Sequence, residues 1–349
     1  MVKKNRIVYM DVLRVIACFA VIMIHSSSTY VIENLGSLNF WIGNIFDGLA
    51  RIGVPLFVMV SGALMLDEKY DFSAQKLIEH IKKMIIFFIF WSCFYCVIFK
   101  IIIPLTENTN ISGVDILVNL VSGGGYHLWV VYLIIGLYLI VPLLRLWVNK
   151  NNKKYVEYFI VLSLIFTYIL PQIVSIAVNF CGLFWALNTI LDNYLSLKYI
   201  GGFTTYFILG WYLNNYDIKN KKNVYALGLI SLAITIFGTY ILSYNTGKML
   251  QMYDNLYINV LLQSTAVFVW VKDTFKDKQN NLVISSISKY SLGIYAIHAL
   301  IVKIISEVLE MKTMHFALIN IPVVFIMSFV LSYLSSFTLS KIPFLNRVV

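Results

Sequence analysis

A single all-α domain crossing a membrane about ten times is the fold class this sequence predicts, and three observations predict it. Of 349 residues, 60% are hydrophobic and only 13% charged, and the mean hydropathy is +0.80. A soluble domain of this length has too little interior to hide so much apolar surface, so lipid must solvate most of it. The apolar residues also fall into runs close to the ~20 residues a helix needs to span a bilayer. Finally, Lys and Arg collect on alternate connections. With the amino terminus inside, nineteen lie in inner segments, against only Lys198, Lys248 and Lys312 outside. That asymmetry predicts both termini in the cytoplasm, and an odd number of spans would invert it partway.

The runs follow in order. The first, 8–30, begins after Lys3, Lys4 and Arg6 and holds Arg14 and His25. The second, 39–66, is interrupted by Arg51, Pro55 and the pair Ser61-Gly62. A proline there frees a backbone carbonyl, and small residues let another helix come close. The third, 84–104, follows the charged stretch EHIKK, and the fourth, 127–147, follows Gly123, Gly124 and Gly125. Three glycines allow the backbone to turn sharply into the membrane at His127. The fifth, 155–175, follows Lys150, Lys153 and Lys154. The stretch 176–195 is apolar but broken by Asn179, Gly182, Asn188 and Asp192, the pattern of a re-entrant or interfacial piece. Runs 199–214, 224–244 and 255–272 supply the sixth to eighth spans. The ninth, 282–308, encloses Lys289 and His298, and the tenth, 316–340, stops at Lys341. The whole chain, 1–349, reads as one integral domain with its first apolar run retained as a span rather than cleaved as a signal.

Composition also excludes function classes. The net charge of +10 suggests nucleic acid at first sight, but the lysines form short clusters between apolar runs rather than one basic face. Cys93 and Cys96 form a CFYC without a second pair or neighbouring histidines, so no zinc or other metal site is expected. With Cys18 and Cys181 they read as buried, inert thiols.

The polar residues inside the runs carry the chemistry. Ten apolar residues separate Arg14 from His25, which puts both on one helical face roughly 16 Å apart, with Asp11 placed to pair with Arg14. An ionisable group inside a bilayer costs at least ~2.5–3.5 kcal/mol and usually faces a polar interior or path. The bland alternative is that Arg14 and His25 snorkel to opposite headgroup layers. His127, flanked by Tyr126 and Trp129, has an interfacial reading as good as a functional one. His298 stands mid-span, one turn from Tyr295, and is harder to dismiss. Histidine titrates near neutrality, and His25 is the candidate base.

These residues resemble a family. D-x-L-R-x-I-A with His25 at the eleventh position after Arg14 is similar to the first helix of the acyltransferase-3 family of integral membrane acyltransferases. R-x-x-V-P-L-F-x-x-x-S-G from Arg51 resembles its second helix, HLW from His127 with Pro142 the start of its fourth, and S-L-G-I-Y-x-x-H ending at His298 its penultimate. The resemblance implies transfer of an acyl group, commonly acetyl from cytoplasmic acetyl-CoA, to a hydroxyl or amine of a carbohydrate or lipid-linked envelope acceptor. It implies that Arg14 and His25 are essential, and Arg51, His127 and His298 complete the expected catalytic set, since acyl transfer from a thioester requires a base for the acceptor proton, a cation near the developing oxyanion and an anion site for phosphates. One departure is visible: where members carry arginines and a proline before the third helix, this chain has His80, Lys82 and Lys83 and no proline. Lys82, Lys83 and Arg14 are then the expected acyl-CoA phosphate and donor contacts, the lysines as point charges without bidentate geometry. No stretch of these residues resembles the fused extracytoplasmic esterase-like domain of many members, so the expectation is that the acceptor is acylated by the membrane domain itself or by a separate extracytoplasmic transferase. The expected location is the cell membrane, with lipids as surroundings.

Two other classes compete. A transporter or exporter of a polar envelope precursor would use the glycine breaks at 123–125 and 201–202 as discontinuous helices, but no inverted repeat is visible. A passive membrane scaffold leaves the intramembrane Arg and His residues without a role.

Overall fold

In the computed structural model, residues 7–32, 34–69, 73–103, 112–181, 197–279, 281–310 and 316–349 are described, and every regular element among them is helical. The first run is one helix, α1 (Val8–Val31). The second is two, α2 (Leu38–Ala50) and α3 (Gly53–Met65). Pro55 has no N–H, so the Arg51 carbonyl loses its normal i+4 donor, and the chain bends at Arg51 and Ile52 before resuming. The third run starts ten residues before the apolar stretch does: α4 (Ala74–Val97) is capped by Ser73 and continues as a π turn, Ile98–Ile102. Its Glu, His and Lys residues are adequate helix formers, so the charged segment is the first turns of the span rather than a loop.

Next comes an element that the hydropathy reading left unassigned between the third and fourth runs, α5 (Gly113–Ser122). Val114, Leu117, Val118 and Val121 form a stripe along it and are exposed, as suits a short helix lying against lipid. It ends at Gly123 and Gly124, whose φ of 101° and 71° only glycine adopts without strain. A 3₁₀ turn, Tyr126–Leu128, then leads into α6 (Trp129–Trp147). The fifth run is α7 (Lys153–Ser163), a π turn at Leu164–Ile169 and α8 (Leu170–Cys181). The hydrogen-bond register slips immediately before Pro171, which cannot donate to the preceding turn. Most of the stretch 176–195 lies outside the described residues. The chain continues as α9 (Leu197–Asn215), kinked at Gly202, then α10 (Lys221–Thr246), α11 (Ile258–Phe275), α12 (Leu282–Lys289), α13 (Ser291–Glu310) and α14 (Ala317–Leu339).

Among the described residues, eight helical stretches are long and apolar enough to cross a membrane. The other two expected spans, α9 and α11, are helical but fall outside those eight. α11 is less apolar because it carries Asn259, Gln263, Lys272 and Asp273, and the two amides are paired inside the bundle, where they need no water. Asn259 and Gln263 both donate to Thr235 Oγ1 on α10, at 2.7 and 2.6 Å, and Gln172 of α8 donates to Asn259 at 2.9 Å.

The two ends of the bundle are tied by different sets of contacts. At the end where α1 starts, Ser288 donates to Asp11 at 2.6 Å and Arg145 to the Asp67 carbonyl at 3.1 Å. There too, Lys272 bonds the Leu213 carbonyl at 2.7 Å and Asp217 at 2.9 Å. That pairing holds the Asp217 carboxyl below its ordinary range. At the end where α1 finishes, Tyr30 bonds Asn320, Tyr253 bonds Asn44, and Asn39 accepts from the Ala317 N–H at 3.0 Å.

Two local expectations are corrected. Lys289 is not inside a span: α12 ends at it, the helix restarts at Ser291, and the side chain is exposed with its Nζ 5.0 Å from the Tyr290 ring. Cys18 and Cys96 are buried, but Cys93 is exposed on α4.

Candidate active site

Near the finishing end of α1, three parts of the chain bring three imidazoles together. His25 comes from α1, His127 from the 3₁₀ turn after the glycines, and His298 from α13. The His298 ring lies 5.2 Å from that of His25 and 5.1 Å from that of His127. Their environments differ. His298 is fully buried and His127 is 3% exposed, while His25 is half-buried and so the one of the three that an incoming molecule can reach. The interfacial reading of His127 does not survive its burial.

Tyrosines frame the cluster and fix two of the rings. His298 Nδ1 faces the Tyr295 carbonyl one turn back at 2.5 Å, and His127 Nε2 faces the Ala296 carbonyl at 3.0 Å. A carbonyl only accepts, so both of those nitrogens carry the proton and the opposite nitrogens carry lone pairs in the neutral rings. Those opposite atoms, His298 Nε2 and His127 Nδ1, are buried and have no hydrogen-bond partner. The Tyr295 hydroxyl donates to the His127 carbonyl, and the Tyr95 hydroxyl to Ala296 O at 2.7 Å. Thus α13 and the 126–128 turn hold each other through bonds in both directions. Among the described residues, no group of His, Cys, Asp and Glu is placed to hold a metal ion.

Arg51 belongs to this end of the site. It sits at the bend between α2 and α3, where Nη2 meets Asp47 at 2.6 Å and the guanidinium stacks 4.3 Å from the Tyr253 ring. Its charge acts on His25, and its Nε is buried without a hydrogen-bond partner. The break before Pro55 places it at the end of α2, one turn from Asp47.

Arg14 marks the other end. Eleven residues of continuous helix separate it from His25, roughly 16 Å of rise. Its Nη1 is 3.6 Å from Asp11. Tyr138 of α6 bonds Ser61 of α3 and feels the Arg14 charge, and its ring faces His80 of α4 at 6.4 Å. Tyr138 was invisible in the sequence, one aromatic among many in an apolar run. Lys82 and Lys83 are exposed on α4, two and three residues past His80, and are not part of either buried cluster.

The arrangement offers bases with free lone pairs and a paired guanidinium at one end, and basic groups about a half-membrane away at the other. No curated protein and no solved structure matches the chain. A family model described as an acyltransferase domain matches residues 7–341, nearly the whole chain. This multi-pass membrane protein therefore belongs to the acyltransferase-3 family.

Proposed function

We propose that the protein transfers an acyl group, acetyl being the family's usual choice, from cytoplasmic acyl-CoA to a hydroxyl of a cell-envelope carbohydrate or lipid-linked acceptor. His25 is the general base. The observation that carries this reading is the meeting of three imidazoles and Arg51 near the far end of a helix whose near end holds Arg14. In the reaction, His25 takes the proton of the acceptor hydroxyl as its oxygen attacks the thioester carbonyl. Arg51 stabilises the oxyanion of the tetrahedral intermediate. The C–S bond then breaks, and the proton passes from His25 to the departing CoA thiolate. The same scheme serves an amine acceptor. Lys82, Lys83 and Arg14 hold the nucleotide and donor arm, which spans the roughly 16 Å between the two ends. The site belongs in the cell membrane with both chain termini on the cytoplasmic side, a reading supported by the basic residues Arg145, Lys150 and Lys272 gathered where α1 starts.

The test is His25→Ala in protein shown to be inserted and folded. Loss of the base should lower acyl transfer about 10²–10⁴-fold while CoA still binds. Wild-type turnover would end the reading. The bent helices at Arg51 and Gly202 also suit a transporter. Thioester turnover by the purified protein separates the two, since a transporter has no reason to release CoA.

A further inference from the structure

We infer that Tyr126 is a positioning residue for His25, orienting the imidazole through a hydrogen bond at Nδ1 in which the phenol oxygen accepts when His25 acts; this rests on the reading of His25 as base. For Nε2 to accept the acceptor's proton, Nδ1 must carry one, and that N–H needs an acceptor of its own. His298 and His127 solve this with backbone carbonyls. His25 is different: its Nδ1 lies 3.3 Å from the Tyr126 hydroxyl, whose ring meets it edge-on with centroids 5.1 Å apart. Of the three histidines, only His25 meets a side-chain hydroxyl rather than a backbone carbonyl at its bonded ring nitrogen.

Tyr126 is 69% exposed, and an exposed tyrosine at a membrane boundary is ordinarily an interfacial anchor. Its backbone is fixed more firmly than that role needs. Before it, the Gly124 N–H donates to Asn119 O and the Gly125 N–H to Gly123 O, both at 2.7 Å, and Ser92 Oγ bonds Leu120 O at 2.6 Å. A Cβ on Gly124 would run into the Ser92 carbonyl of α4. After it, His127 is bonded to Tyr295 and Ala296 of α13. A turn clamped between two helices thus presents a ring that itself packs against little, and the hydroxyl ends on His25. When His25 takes a proton, its Nδ1–H becomes a charge-assisted donor and the bond to the phenol oxygen strengthens. The interaction therefore grows toward the transition state and belongs in kcat rather than KM.

The experiment measures CoA release from acetyl-CoA by the full-length protein in lipid, with an envelope carbohydrate extract as acceptor, for wild type, Tyr126→Phe, His25→Ala and the double variant. Phe keeps the ring and its edge contact, and the exposed site tolerates it. The expected result is a fall in kcat of about tenfold, the worth of one hydrogen bond to a group becoming charged. KM for acetyl-CoA and thermal stability stay at wild-type values, and Tyr126→Phe has no further effect in the His25→Ala background. An unchanged kcat overturns the inference, as does an equal fall in both backgrounds, which would mean that Tyr126 acts other than through His25. A rise in KM alone overturns it too. If His25→Ala turns over at the wild-type rate, the base reading itself fails, an outcome distinct from a silent Tyr126→Phe beside an inactive His25→Ala.

Discussion

One methyl group at Gly62 or Gly210 should destabilise the bundle by several times what the same change costs elsewhere. A Cβ at Gly62 would fall on the backbone carbonyl of Phe207, and one at Gly210 on that of Met59. Each glycine thus lies three residues from the carbonyl its partner would strike, so α3 and α9 touch backbone to backbone across a reciprocal seam. No rotamer change relieves a clash with backbone, and the helices must part. Overpacking of this kind costs about 1–3 kcal/mol, and a gap of ~0.5–1 Å forfeits a quarter to a half of each van der Waals contact along the seam. That seam includes Leu56, Met59, Ala63, Phe207 and Ile208, all fully buried, so either single variant should lie near the upper limit, about 3 kcal/mol. Once the helices have separated for one methyl, the second finds room, and the double variant should cost far less than the sum. Reversible unfolding in mixed micelles measures both effects. Gly136→Ala on α6 is the control: nothing lies within 4 Å of its Cβ, and it should be neutral or stabilising by up to about 1 kcal/mol. Additive losses in the double variant, or a Gly62→Ala no worse than Gly136→Ala, would refute the reasoning.

Arg51→Lys should lower turnover about tenfold or more, because a point charge cannot keep the Asp47 pair and the Tyr253 stack together; a fully active variant would show that charge alone suffices. Replacing Lys82 and Lys83 together by Ala should raise KM for acyl-CoA, and more at low salt than at high, since both are exposed and ions screen them. An unchanged KM at low salt would move the nucleotide site away from α4, for example to Lys150, Lys153 and Lys154. Cysteines introduced at Lys153 or Lys276 should resist an impermeant thiol reagent in intact cells, and rapid labelling of either would contradict cytoplasmic connections there.

Much of this was legible in the sequence because it depends on near neighbours. Hydropathy is a sum over about twenty consecutive residues, so the runs and their order follow from it, and each of the ten expected runs consists mainly of helix in the structure. The spacing of Arg14 and His25 is likewise a property of one helix, and α1 keeps it. Boundaries were less legible. Pro55 signalled a disturbance but not that the second run would divide at Arg51, and α5, ten residues long, is too short for a window of about twenty residues to mark. Lys289 misled for the opposite reason: a helix restart at Tyr290 leaves no mark in an average over twenty residues.

The sequence by itself determined the helical class, the membrane as solvent, the family motifs and the placing of a guanidinium and an imidazole on one face of α1. Those are consequences of composition and of the helical repeat. Only the tertiary structure decided that His25 meets Tyr126, 101 residues away, that His127 bonds α13 across 169 residues, and that the Arg51 guanidinium stacks on the Tyr253 ring. Such contacts depend on which helix faces pack and how closely. That is set by small residues such as Gly62 and Gly210 at the crossings and by buried hydrogen bonds, which in lipid must find partners within the bundle because no water is there to supply them.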